Sequence, residues 1–104
     1  MSEYQFTPQA VDDLFEIWAF IARDNVGAAN RIEEAVYEAC ELLAEGPFRG
    51  SVREDLTRLP VRFWVVQAYP TYFVVYDPCS DPLQIIRILH SSRAILAVLQ
   101  KGQD

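Results

Sequence analysis

The chain is poor in the residues that build metal sites. Of its 104 residues one is histidine and two are cysteine, with no Cys-Xaa-Xaa-Cys pairing. That spacing excludes a recognisable zinc site, and no metal or other cofactor is expected. Cys40 falls within a helical apolar pattern and Cys79 within a proline-rich turn. Both read as free thiols without a catalytic role, as a reducing cytoplasm favours. No apolar run approaches the roughly 18 residues of a membrane span. Met1 to Gln5 lack the basic and apolar regions of a secretory leader, so a cytoplasmic location is the expectation. Lysine is nearly absent too, with Lys101 alone, and no internal repeat or low-complexity tract is present.

What is present is the composition of a folded protein, 51% apolar and 23% charged. A chain of this length buries about two-thirds of its unfolded surface, and residues 1–104 are read as a single domain. The net charge of −6 argues against general affinity for nucleic acid. That charge is unevenly placed. Residues 1–45 hold two basic residues against ten acidic ones, a net of −8, while residues 46–104 hold seven basic against five acidic, a net of +2. Such segregation suits a protein with one functional face.

Glu3 to Phe6 reads as a short strand. Thr7 then offers a capping hydroxyl, and Pro8 is pre-organised for the first helical position. Val11, Leu14, Phe15, Trp18, Ile21 and Ala22 follow at amphipathic helical spacing, with Asp12, Asp13 and Glu16 in the early turns, where the helix dipole favours negative charge. A second helix is predicted from about Ala28 to Glu45. Its stripe is Ile32, Ala35, Val36, Ala39, Cys40 and Leu43, its outer face carries Glu34, Glu38, Glu41 and Glu45, and Gly46-Pro47 stops it. A polar connection from Pro47 to Pro60 leads to three strands, Val61 to Ala68, Tyr72 to Tyr76 and Leu83 to His90, each rich in β-branched or aromatic residues and bounded by turns. Ser91 or Ser92 caps a final helix through Ile95, Leu96, Val98 and Leu99. The order is therefore β-α-α-β-β-β-α, an α+β fold with an antiparallel sheet packed against a two-helix hairpin. Short connections make the last three strands antiparallel neighbours, and the first strand is expected to complete that sheet. The sheet face away from the hairpin has little helix to cover it, and function is sought there.

An ionised arginine in a strand as apolar as Leu83 to His90 is unusual without a partner. Strict alternation places Arg62, Trp64 and Val66 on one face, and Arg87 on one face with Ile85 and Leu89. If the open face carries both Arg62 and Arg87, they form a small basic patch beside Trp64, a composition suited to stacking bases or anchoring a peptide. The alternative is that each pairs with Asp55, Asp77 or a helix carboxylate. His90, with Arg87 and Arg93 nearby, has the chemistry of an acid or base, or bonds a turn as a structural residue. The loop Pro47 to Leu56, basic and then acidic, reads as a surface connection with local ion pairs worth little.

Five segments in order carry a resemblance: Ala10 to Leu14, Ala28-Ala29-Asn30-Arg31, Pro47 to Arg53, Tyr72 to Tyr76, and Ile85 to Arg93 with its Ile-Xaa-Arg-Ile-Xaa-His-Xaa-Xaa-Arg closure. Together they resemble the ParE/RelE superfamily of type II toxin–antitoxin toxins over nearly the full chain, and the ParE branch most. The resemblance implies a plasmid-stabilisation type of toxin that poisons DNA gyrase without a catalytic step of its own. A cognate ParD-like antitoxin would neutralise it in a hetero-oligomer, with no membrane partner and no specific nucleic-acid binding by the toxin alone. Arg62, Trp64, Arg87, His90 and Arg93 are the target-binding candidates. The alternative is a RelE-like ribosome-dependent mRNA endoribonuclease. The chain departs from that pattern in having one lysine and no tyrosine after Tyr76. Its acidity also suits a protein target better than ribosomal RNA.

Overall fold

A computed structural model describes residues 3–91. The elements are β1 (Tyr4–Phe6), α1 (Pro8–Ala22), α2 (Val26–Glu45), β2 (Arg62–Val65), β3 (Tyr72–Asp77) and β4 (Leu83–His90). The sequence predicts this order. The final helix predicted beyond Ser91, Arg93 included, lies outside the described residues.

Both helices start where capping chemistry allows. Thr7 Oγ1 accepts the Ala10 N–H at 3.2 Å, and Asn25 Oδ1 accepts that of Ala28 at 2.9 Å. The Asn25 cap starts α2 two residues before the expected Ala28. At the other end, the backbone N–H of Gly46 donates to Leu42 O. Its φ of −141° is one any residue adopts, and the Arg49 side chain folds back against it.

The four strands run in the order β1-β4-β3-β2. β2–β3 and β3–β4 are antiparallel, as their short connections require. β1 pairs parallel to β4, Tyr4 opposite Leu83 and Phe6 opposite Ile85. The sheet is thus mixed where an antiparallel one was expected. The short-connection rule does not reach this pair, because the whole helical hairpin and two strands separate β1 from β4 and leave either direction open. β2 is shorter than predicted, since Val66 N–H turns back to Tyr72 O at 3.0 Å and Tyr69 N–H to Val66 O at 3.0 Å.

Two apolar clusters flank the sheet. The larger joins the hairpin to the strands through Ala10, Leu14, Val36, Cys40, Leu43, Val74, Tyr76, Ile85 and Ile88. On the other face Val61, Phe63, Val75 and Leu89 pack with Phe73, Ile86, Leu56 and Leu59. The expected open face is therefore partly roofed by the 47–60 connection. That segment reaches the sheet edge through Ser51, whose N–H and C=O both bond Phe63 at 2.9 Å.

Candidate functional site

Arg62 and Arg87 do not form the basic patch that a shared open face would have made. The register shifts between Val75 and Tyr76, so Val75 faces Arg87 while Tyr76 faces Ile85. Ile86 is the extra residue, and the alternation that was to unite Ile85, Arg87 and Leu89 breaks there. Ile85 lies in the hairpin-side core and Leu89 in the far one. Arg62 stands opposite Tyr76, itself in the hairpin-side core.

Arg87 is engaged within the fold. Its Nε and Nη2 donate to the two carboxylate oxygens of Asp13 on α1, at 2.7 and 2.9 Å. Asp13 also accepts the backbone N–H of Ile88 at 3.0 Å. The hydrogen bonds that the guanidinium donates to Asp13 push its pKa above the ordinary value, so it stays charged. This is the helix-carboxylate alternative for Arg87. It arises because β1 ends at Phe6, after which α1 supplies polar partners to the unpaired edge of β4. Thr7 assists, its N–H donating to Ile85 O at 3.0 Å and its hydroxyl to Ile86 O at 2.8 Å.

Arg62 takes a different partner. Its Nη1 donates to Gly50 O at 2.7 Å, and its Cζ sits 5.1 Å from the centroid of the Phe48 ring, a cation–π distance. No carboxylate pairs with it among the described residues. Trp64, half-buried, packs against the hairpin-side core with its indole nitrogen buried and without a partner among the described residues. His90 is half-buried and meets Tyr72 edge-on, ring centroids 5.1 Å apart, across the β3–β4 pairing.

Two features escaped the sequence reading. The first is a clamped turn. The hydroxyl of the buried Tyr76 donates to Pro47 O at 2.7 Å and accepts the Gly50 N–H at 2.8 Å. Burial raises the Tyr76 pKa, the largest effect on it, so the hydroxyl stays a donor. Gly50 is required here, because a Cβ would stand 2.5 Å from that hydroxyl oxygen and 2.9 Å from Phe63 O. Between the two anchored residues, Phe48 is 62% exposed, and Arg49 is exposed as well. Exposure of Phe48 could not be read from a loop without periodicity.

The second is the flank of the hairpin. The α1 stripe was expected to be buried, yet Val11 and Phe15 are 53% and 66% exposed. Ala10 and Leu14 are the buried residues of α1, so only part of its apolar surface fits onto the sheet. Beside that flank Trp18 Nε1 donates to Asn30 Oδ1 at 2.9 Å, tying α1 to α2. Tyr37 on α2 is also exposed, its ring tilted at 47° to that of Phe6 with centroids 5.9 Å apart. The surroundings are acidic, with Asp12, Glu16, Glu34, Glu38 and Glu41 all exposed.

No group of three or more metal-ligating side chains comes together among the described residues, and no described helix is long and apolar enough to cross a membrane. Cys40 is buried and its thiol pushed up to about 12 by desolvation. It therefore lacks the thiolate character of a nucleophile.

Among curated proteins, none matches the sequence. A solved structure described as the chromosomal ParDE TA system from P. aeruginosa has a similar fold, with a TM-score of 0.68 over 86% of this chain and 96% of that one, at 20% identity. The model of the ParE toxin of the type II toxin–antitoxin system, parDE, matches residues 4–95. From β1 past the end of β4 the segments read in the sequence fall within that match, and the chain belongs to the ParE toxin family of type II toxin–antitoxin systems.

Proposed function

We propose that the protein inhibits DNA gyrase in the cytoplasm and is held inactive by a ParD-like antitoxin encoded beside it. Family membership supports the toxin class. The observation that favours gyrase over the ribosome is the Asp13–Arg87 pair. A ribonuclease of this scaffold would need several cations on the sheet for phosphate and acid–base work. Here Arg87 is committed to a carboxylate, Arg62 serves a different segment, and the chain carries a net charge of −6. A protein target makes no demand for a basic surface. Inhibition is then a matter of binding, and the toxin contributes no catalytic step.

The antitoxin reading rests on the flank of α1. Val11 and Phe15 are apolar area left to water beside Trp18, inside an acidic surround. An antitoxin tail that orders as an amphipathic helix would cover those residues and offer basic side chains to Asp12, Glu16 and Glu34.

The deciding assay uses purified toxin with gyrase and with translating ribosomes. Loss of supercoiling with accumulation of cleaved DNA is expected. Codon-located mRNA cuts on ribosomes, with supercoiling intact, would overturn the gyrase reading.

A further inference from the structure

The antitoxin surface leaves Phe48 and its neighbours unexplained. A phenyl ring that is 62% exposed gains little from folding, yet both sides of this turn are fastened. Pro47 and Gly50 are tied to one hydroxyl inside the core, at 2.7 and 2.8 Å. Arg62 bonds Gly50 O and lies over the ring. Arg49 lays its stem against Gly46, at the end of α2 where the helix dipole accommodates a cation. Neither Arg49 nor Arg62 has an ion pair among the described residues, in a chain with 15 acidic side chains. Arg53 and Arg87 each hold a carboxylate, while Arg23, Arg31 and Arg58 share the lack of one among the described residues. What sets this turn apart is therefore the clamped aromatic between its cations rather than their free charge.

An aromatic side chain flanked by arginines is the composition of binding hot spots. Fixing the backbone on either side lowers the ordering cost of binding. We propose that the Pro47–Gly50 turn is where the toxin grips its target protein. Phe48 enters an apolar pocket, and the guanidiniums of Arg49 and Arg62 meet carboxylates on its rim. The inference deepens the gyrase reading and rests on it. A nucleic-acid track is disfavoured, because such sites line up many cations along a backbone. This turn offers two, on a molecule of net charge −6.

The test measures gyrase supercoiling inhibition by wild type, Phe48→Ala, Phe48→Trp and Arg49→Ser. Thermal melting serves as the folding control, and a gel-shift with naked DNA runs in parallel. Phe48→Ala is expected to raise the inhibitory concentration about tenfold or more with an unchanged melting temperature, since loss of a hot-spot side chain has that scale. Arg49→Ser raises it less, and Phe48→Trp, which keeps an aromatic anchor of larger volume, falls between wild type and Phe48→Ala. Wild-type potency in folded Phe48→Ala overturns the proposal and leaves the gyrase reading standing. Wild-type protein that does not inhibit gyrase removes that reading, and the proposal with it. If Phe48→Ala instead loses naked-DNA binding in step with inhibition, the contact is to nucleic acid and the proposal is wrong.

Discussion

Two exposed aromatic surfaces, Phe15 on the hairpin and Phe48 after it, are built in opposite ways. Phe15 sits in the middle of a regular helix, beside Val11 and among carboxylates, on the half of the chain with a net charge of −8. Its position is fixed by α1 as a whole. Phe48 sits on a turn held by one buried hydroxyl, next to two arginines, on the half with a net charge of +2. A helix presents a long stripe suited to another helix; a clamped turn presents a single anchor. One small fold can thus offer two partners surfaces of different shape and sign.

Substitutions can separate the elements that support each surface. The largest effect is expected from Asp13→Ala, which leaves Arg87 without its carboxylate and the Ile88 N–H without its acceptor. Breaking a buried pair from one side costs about 3 kcal/mol or more; the Arg87 and Asp13 side chains keep 25% and 12% exposure, which places this case at the low end. A melt should show a fall of roughly 10–20 °C. A change of only a few degrees would mean that the pair contributes little to holding α1 on the sheet.

Next is the inner face of the hairpin. With the Cys40 thiol pushed up to about 12 in the fold, the unfolded chain loses that proton near pH 9 while the native state keeps it. Above that point the native state binds more protons, so stability declines with rising pH, by about 1.4 kcal/mol per unit up to the folded value. Tyr4, Tyr37 and Tyr76, all shifted upward chiefly by burial, act in the same direction at higher pH. Denaturant titrations between pH 8 and 10 on wild type and Cys40→Ala should show a shallower decline in the variant.

Tyr76→Phe acts on the turn alone. It removes one donor and leaves the buried Gly50 N–H unpaired, a loss of about 1–2 kcal/mol. Amide exchange at Gly50 should accelerate while the helices stay protected. Equal acceleration in α2 would show that the two regions are one cooperative unit. The smallest effect on stability belongs to Phe15→Ser, within about 0.5 kcal/mol because the ring is mostly in water. Titration calorimetry with the antitoxin should nonetheless show affinity falling about tenfold.

Legibility in the sequence followed the range of the interactions. Both helices and the three later strands were readable because periodicity, Thr7 and the Gly46-Pro47 stop act within a few residues. The direction of β1 against β4 was not, since nothing local fixes a pairing between Tyr4 and Leu83. The displaced alternation at Ile86 depends on where β3 and β4 meet, and so Ile85 was wrongly grouped with Arg87 and Leu89. Asp13 read as a residue matched to the helix dipole, and its partner lay 74 positions away. Of the candidate surface, Arg62 was named from sequence, while Phe48 and Arg49 were passed over as loop. Their significance depends on Tyr76, whose hydroxyl reaches Gly50 and Pro47 across 26 and 29 positions.

β1 is three residues long against the eight of β4, so much of the longer strand is left without a neighbour on that side. Bare strand edges recruit other strands and seed aggregates. Thr7 and Asp13 occupy hydrogen-bonding groups of Ile86 and Ile88 along that margin. With those groups taken up by side chains from α1 and its cap, that margin of β4 has fewer free donors and acceptors to offer an incoming strand.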